Sequence, residues 1–213
     1  MLHVLVACEE SQRVCMAFRE LGHNAYSADI QEPSGGHPEW HILGDVIPIL
    51  NGGEFTTMNG KLHNINKWDL IIAHPPCTHL AISGARWFKE GVKPRYLQDD
   101  AAAFFMKFIN ADCEHIAVEN PICIMSTRYR KPDQIINPYQ FGHTEQKKTS
   151  LWLKNLPKLK ETNNVYEEMM KLPEKERAKI WYMGSRHSKE RSKTYFGIAR
   201  AMAEQWGKYL IGG

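Results

Sequence analysis

The run Trp68-Asp69-Leu70-Ile71-Ile72-Ala73 constrains the fold of this chain more than any other feature. Its four closing residues are all apolar, and His74-Pro75-Pro76 stops the run at once, because prolines fix φ and withdraw backbone donors. Such a strand belongs inside a parallel sheet covered on both faces. The opening of the chain agrees. Leu2–Ala7 is a short β-rich apolar run leading into polar Cys8–Arg13; Val14, Ala17, Phe18 and Leu21 then recur at helical spacing, and Gly22 supplies a stop. Asn24–Ile30 reads as a second strand ending on Asp29. This strand–helix–strand unit of about 30 residues is the start of a doubly wound sheet.

Further along, Pro33–Pro38 reads as a loop and His41–Val46 as a short third element ending on Gly44-Asp45. Asn51–Asn66 is polar and contains glycine, so an exposed excursion is expected there. Pro94–Asn110 reads as a helix with Leu97, Ala101, Phe104, Phe105 and Phe108 on its inner face. His115–Val118 is another buried strand, followed by Glu119-Asn120-Pro121. Gln134–Phe141, Thr149–Leu153 and a final helix over Gly197–Leu210 complete the regular elements. Glu161–Lys179 is charged and reads as a helical surface insertion, while Trp152, Trp181 and Trp206 are expected in the core with Phe104 and Phe105. The expected fold is α/β: a doubly wound, mostly parallel sheet with helices on both faces. One domain spans 1–213, with a small insertion at 158–190.

Several classes are excluded. At 43% hydrophobic and 24% charged residues the composition is neither collagenous, coiled-coil nor disordered. Charges or prolines interrupt every hydrophobic stretch, so no membrane span is expected. Met1–Glu10 lacks a basic region and turns acidic early, so it does not read as a signal peptide; the expectation is a soluble, cytoplasmic protein. Cys8, Cys15, Cys77, Cys113 and Cys123 form no C-x-x-C pair, and His115, His143 and His187 lack ligand spacing, so neither disulfides nor a metal are expected. Charge is unevenly spread: residues 1–120 hold 9 Lys+Arg against 15 Asp+Glu, and residues 121–213 hold 18 against 9. A basic half is either a phosphate-binding surface or an ordinary solvated face. Ser185–Lys193 carries the same two readings.

In open α/β sheets ligands bind beyond the carboxyl ends of the strands. Cys8–Ser11, Asp29, Asp45, His74–Cys77 and Glu119–Pro121 all lie at such ends. An acid closing the second strand, like Asp29, can accept hydrogen bonds from a ribose. Pro75-Pro76 stiffens the loop that presents Cys77, and a thiolate is a soft nucleophile suited to an electron-poor carbon. Desolvation at the end of its strand is expected to raise the pKa of Glu119 and let it donate a proton.

Together these residues resemble the DNA (cytosine-5)-methyltransferase family, in the short form found in phages and prophages. V-L-V-A-C-E-E-S is similar to the first cofactor strand and loop, S-A-D-I to the ribose-binding strand, G-D-V to the adenine side, H-P-P-C to the Pro-Pro-Cys loop, V-E-N-P to the Glu-Asn pair, and G-I-A-R-A-M-A-E-Q-W to the C-terminal helix. The resemblance implies S-adenosyl-L-methionine as cofactor, bound by Cys8, Glu9, Ser11, Asp29, Asp45 and Pro75. It implies Cys77 as the nucleophile at cytosine carbon 6 and Glu119 as the group acting on N3. Pro76, Asn120, Arg86 and Lys148 would contact the substrate, with Ser83–Arg86 as a mobile covering loop. DNA is the implied partner.

The chain also departs from that pattern. The first loop, Cys8-Glu9-Glu10-Ser11, has no glycine; His74 precedes Pro-Pro-Cys; and Gln146-Lys147-Lys148-Thr149 stands where the family has Gln-x-Arg-x-Arg. About 40 residues separate the Thr149–Leu153 strand from the last helix, too few for a large recognition domain, so a loop or an accessory partner must supply specificity. Three other readings stay open: methylation of an exocyclic amino group, cysteine-dependent modification of a free nucleotide or RNA, and a catalytically silent nucleic-acid-binding relative.

Overall fold

In the computed structural model, which describes residues 1–183 and 187–212, β1 (His3–Ala7) is flanked in parallel by β2 (Asn24–Asp29) on one side and β6 (Leu70–Ala73) on the other. β2 pairs in parallel with β3 (His41–Leu43), and β6 with β7 (Ile116–Pro121). β9 (Thr149–Lys154) then runs antiparallel to β7, with β8 (Gln134–Ile136) outside it. The sheet order is therefore β3-β2-β1-β6-β7-β9-β8, with β9 alone reversed. This is a Rossmann-like doubly wound sheet with its crossover between β1 and β6.

Both faces are covered, as the apolar strands require. Against one lie α1 (Arg13–Glu20) and α9 (Phe196–Gly212), which bury Val14, Cys15, Phe18, Met202 and Trp206 on Val4, Val6, Leu70 and Ile72. Against the other lies α3 (Tyr96–Ile109), which buries Phe105 and Phe108 on Leu5, Ile71, Ile116 and Trp152. The side chains alternate between faces with the period of the strand. Gly22, at φ +80°, ends α1 where a side chain would be strained. No helix is long and apolar enough among the described residues to cross a membrane.

Three expectations need correction. Asn51–Asn66 is a hairpin, β4 (Gly53–Thr56) and β5 (Leu62–Ile65), that buries Phe55 and Ile65 against Tyr26 and Trp68. Trp181 is 75% exposed, because it sits on a four-residue helix, α7 (Lys179–Tyr182), too short to carry an apolar face to the core. Ser83–Arg86 is not an open loop: it forms a 3-10 turn, Ile82–Gly84, running into α2 (Ala85–Lys89). The segment between β9 and α9 holds α5 (Tyr166–Met170), α6 (Glu174–Arg177), α7 and α8 (Ser188–Ser192), with Met169 buried. A short helix over Met125–Arg128, α4, follows β7. Of the basic stretch 185–193, Ser185 and Arg186 lie outside the described residues.

Candidate active site

Strand register assembles the site. Ala7 pairs with Ala28 and Ala73, and Ala73 with Val118. One residue further along each strand stand Asp29, Cys8, His74 and Glu119, so four chemically able residues form one row across β2, β1, β6 and β7. Neighbouring strands lie about 4.8 Å apart. Asp45 follows β3 at the same edge and is exposed, its Oδ1 accepting from Ile47 N at 3.0 Å.

The first loop makes its tight turn without glycine. Cys8 and Gln12 take up left-handed backbone, at φ +59° and +58°. The glycine comes from the neighbouring loop instead: a Cβ on Gly35 would lie 2.6 Å from Gln12 Cβ and 2.9 Å from the Ser11 carbonyl oxygen. Fully buried Gln12 clamps that loop. Its Nε2 donates to the His37 carbonyl at 2.9 Å, and its Oε1 accepts from His37 N at 3.0 Å. Ser34 N donates to the Glu10 carbonyl at 2.8 Å. The carboxylate of buried Glu9 accepts from Val14 N at 2.7 Å and Cys15 N at 3.2 Å, which caps α1. Burial pushes Glu9 up to about 7, against the pull of His74 and the two amides. Ser11 is buried. Glu10 is also buried, and Lys189 Nζ of α8 lies 3.4 Å from its Oε2.

Acid is concentrated around Cys8. Burial raises its thiol far above the ordinary range, and the charges of Asp29 and Asp45 raise it further. Burial likewise raises Asp29, whose Oδ1 accepts from Gln31 N at 2.9 Å. A sulfonium cofactor bearing an ammonium group and a ribose fits such a donor set: the carboxylates attract the cation, and a carboxylate at the end of β2 can accept from hydroxyls.

The Pro-Pro-Cys loop leaves β6 beside Glu119. His74 N donates to the Ala7 carbonyl at 2.9 Å, and Asn120 Nδ2 donates to the Pro75 carbonyl at 2.7 Å. Asn120 and Pro75 are both buried, so the amide fixes the loop from β7; Pro76 and Cys77 are exposed. The Cys77 carbonyl accepts from Leu80 N at 3.0 Å and Ala81 N at 2.9 Å, which closes a turn behind the thiol. Crowding by the cleft walls raises the Cys77 thiol, and the charge of Glu119 adds to that; Lys147 and Arg191 oppose it.

The expectation that Glu119 is raised is reversed. Burial alone would raise it, but His74 Nδ1 lies 2.8 Å from Glu119 Oε2, and that bond and charge hold the carboxyl below its ordinary value. Burial alone would lower His74; Glu119, with Glu9, outweighs it and raises the imidazole. Both shifts run in the direction that favours an imidazolium–carboxylate pair, whose side chains are 8% and 12% exposed. Its stabilisation is complete between the ordinary values of 4.5 for Glu119 and 6.5 for His74. It is lost as pH falls through the lowered Glu119 value, and as pH rises through the raised His74 value. Denaturant unfolding of wild type and Glu119→Gln across this range is therefore expected to give a stability difference that is greatest inside that window and shrinks on both sides. A constant difference would refute the ion pair. Glu9 lowers stability as pH climbs from 4.5 to about 7, and because His74 pulls on it, a Glu9→Gln background common to both proteins removes that slope from the comparison.

Lys147 is the cation that reaches all three of Cys77, His74 and Glu119. Its Nζ donates to the Arg191 carbonyl at 2.9 Å and sits 5.9 Å from the Tyr195 ring. Lys148, two positions before buried Ser150, is exposed. Arg86 is exposed on α2 with its guanidinium 4.5 Å above the Trp87 ring. Gln12, His37 and Gly35 gave no motif in the sequence.

No family model matches the chain, and no curated protein does. Among solved structures it is similar to the S. pombe Dnmt2 methyltransferase, at 13% sequence identity and a TM-score of 0.41, over 97% of this chain. The chain spans 66% of the length of that structure.

Proposed function

We propose that the chain is an S-adenosylmethionine-dependent methyltransferase that modifies carbon 5 of cytosine in DNA through a covalent adduct with Cys77. One observation carries this reading: an exposed thiol on a loop stiffened by Pro75-Pro76 stands beside a buried carboxylate, Glu119, on the adjacent strand of a Rossmann-like sheet. A thiolate adding to carbon 6 pushes electrons towards N3, and Glu119 is the group placed to meet them.

Asp29, Asp45 and the Cys8–Ser11 loop would hold the cofactor, which supplies an electrophilic methyl group. Asn120 fixes the Pro75 carbonyl and thereby the reach of Cys77. Lys147 and Arg191 favour the thiolate and supply cations for phosphodiesters. In duplex DNA the base must first leave the stack, at a cost of a few kcal/mol. No large recognition domain fits between β9 and α9, so α2, α8 or an accessory partner provides the sequence preference.

The test is transfer of labelled methyl from S-adenosylmethionine to unmodified duplex DNA, with single-stranded DNA, RNA and cytidine nucleotides in parallel. Label on carbon 5 of cytosine in DNA is the expected result. Label on RNA or nucleotide alone would change the substrate, and label on an exocyclic nitrogen would overturn the thiol chemistry.

A further inference from the structure

We propose that His74 is a positioning residue that fixes Glu119 and keeps a proton beside it for delivery to N3 of the target base, a role that rests on the thiol-addition reading above. Register alone sets the two side by side, since Ala73 pairs with Val118 and both residues come next on parallel neighbours. The contact is direct, 2.8 Å from Nδ1 to Oε2, and Glu119 Oε1 has no hydrogen-bond partner among the described residues. The second ring nitrogen, Nε2, is buried without a partner. A histidine kept only for packing or bridging would gain by satisfying both nitrogens, because an unmet buried donor is costly. Here the ring's single bond goes to the carboxylate that faces the chemistry.

Three charged groups face the imidazole. Glu119 on β7 and Glu9 in the loop after β1 favour its charged form, and Lys147 before β9 opposes it. Glu9 has no hydrogen bond to the imidazole among the described residues, and both its oxygens accept from α1 amides. Glu119 is the acceptor in contact.

The proton balance is simple. The Cys77 thiol first gives its proton to solvent; as the thiolate sulfur bonds to carbon 6, the carbon 5–carbon 6 π pair shifts through the ring towards N3. The Nδ1 proton of His74 passes to Glu119, the neutral carboxyl passes one proton to N3, and His74 is left neutral. When the carbon–sulfur bond breaks and the thiolate leaves, the N3 proton returns through Glu119 to Nδ1. Between the two steps carbon 5 would take the cofactor's methyl group and lose its own proton to solvent base, so the thiolate leaves a neutral ring and no oxidant enters.

Two measurements test the assignment. The first needs no activity: nitrogen NMR of the histidine rings across pH in free wild type and Glu119→Gln. His74 is expected to remain doubly protonated above the ordinary histidine range in wild type and to fall below it in the variant. Titration at or below the ordinary range in wild type overturns the proposal. The second is the pH profile of single-turnover methyl transfer to unmodified duplex DNA by wild type and His74→Asn, whose amide keeps a donor near Nδ1 but holds no second charge. The variant is expected to be slower on the order of 100-fold and to lose the alkaline fall in rate that marks loss of the imidazolium proton. Wild-type rate and profile in His74→Asn overturn the proposal and leave the methyltransferase reading intact. No transfer by wild type to any nucleic acid overturns both. If His74→Asn does not fold, the NMR titration decides.

Discussion

Cys77→Ala is expected to abolish methyl transfer, a loss on the order of 10⁴-fold or more, without weakening the fold. The asymmetry follows from where the thiol sits. Cys77 is exposed, and the turn that presents it is held by its own backbone carbonyl, which accepts from Leu80 and Ala81 and is untouched by the substitution. Pro75 stays tied to Asn120. The unfolding midpoint should therefore stay within about 0.5 kcal/mol of wild type, the usual range for a surface change. Affinity for DNA should change little, because the cations near the thiol remain. Residual transfer near the wild-type rate would end the covalent mechanism, and a large stability loss would show that the thiol is structural. Alkylation of wild type gives an independent reading. With its thiol raised by crowding and by Glu119, Cys77 should react with iodoacetamide more slowly at neutral pH than an ordinary exposed cysteine.

Gly197→Ala is expected to produce the largest loss of stability from a single methyl group, about 3 kcal/mol. Gly197 is the second residue of α9, and a Cβ there would overlap the Phe141 carbonyl oxygen and lie 3.0 Å from its carbon and 3.1 Å from His143 Nε2. The first two are backbone atoms that cannot swing aside. Gly197 N also meets His143 Nε2 at 3.0 Å, so relief by shifting the helix breaks that bond. α9 packs along α1, and Tyr195 just before it touches Glu145 and Lys147, so the strain reaches the site from below. Gly212→Ala is the control: nothing lies within 4 Å of its Cβ position, and the change should be close to neutral. Denaturant midpoints of the three proteins decide the matter, and equal midpoints would refute the close approach.

Apolar runs with firm stops were legible before any coordinates. Leu70–Ala73 stopped by two prolines, Val4–Ala7 entering a polar loop, and α1 ended by Gly22 each combine a period with a boundary. The row of Asp29, Cys8, His74 and Glu119 was legible for the same reason, since strand ends in a parallel sheet share an edge. The β4–β5 hairpin was not, because Phe55 and Ile65 are single apolar residues among polar neighbours and its strands have only four residues each. Trp181 misled because size suggests burial, but a helix of four residues cannot bring it to a core. At the site, residue types were readable and pairings were not. Glu119 faces His74 through strand register, Glu9 caps a helix, and Gly35 serves a loop more than 20 positions away. None of these follows from local spacing.

The reversal of β9 bears on how a polyanion would meet this molecule. Parallel strands bring only their last residues to the reactive edge, and in this chain those of β1, β2, β3 and β6, with Glu119 of β7, come from the acid-rich first half. A strand laid the other way brings its first residues to the same edge, which is how Lys147, from the basic second half, comes to stand among Cys77, His74 and Glu119. The edge is thus an electrical seam sewn from both ends of the sequence. Phosphates drawn to the cationic side arrive against carboxylates that would by themselves repel them, so capture should weaken with added salt while the buried His74–Glu119 pair, shielded from counterions, holds its charge state.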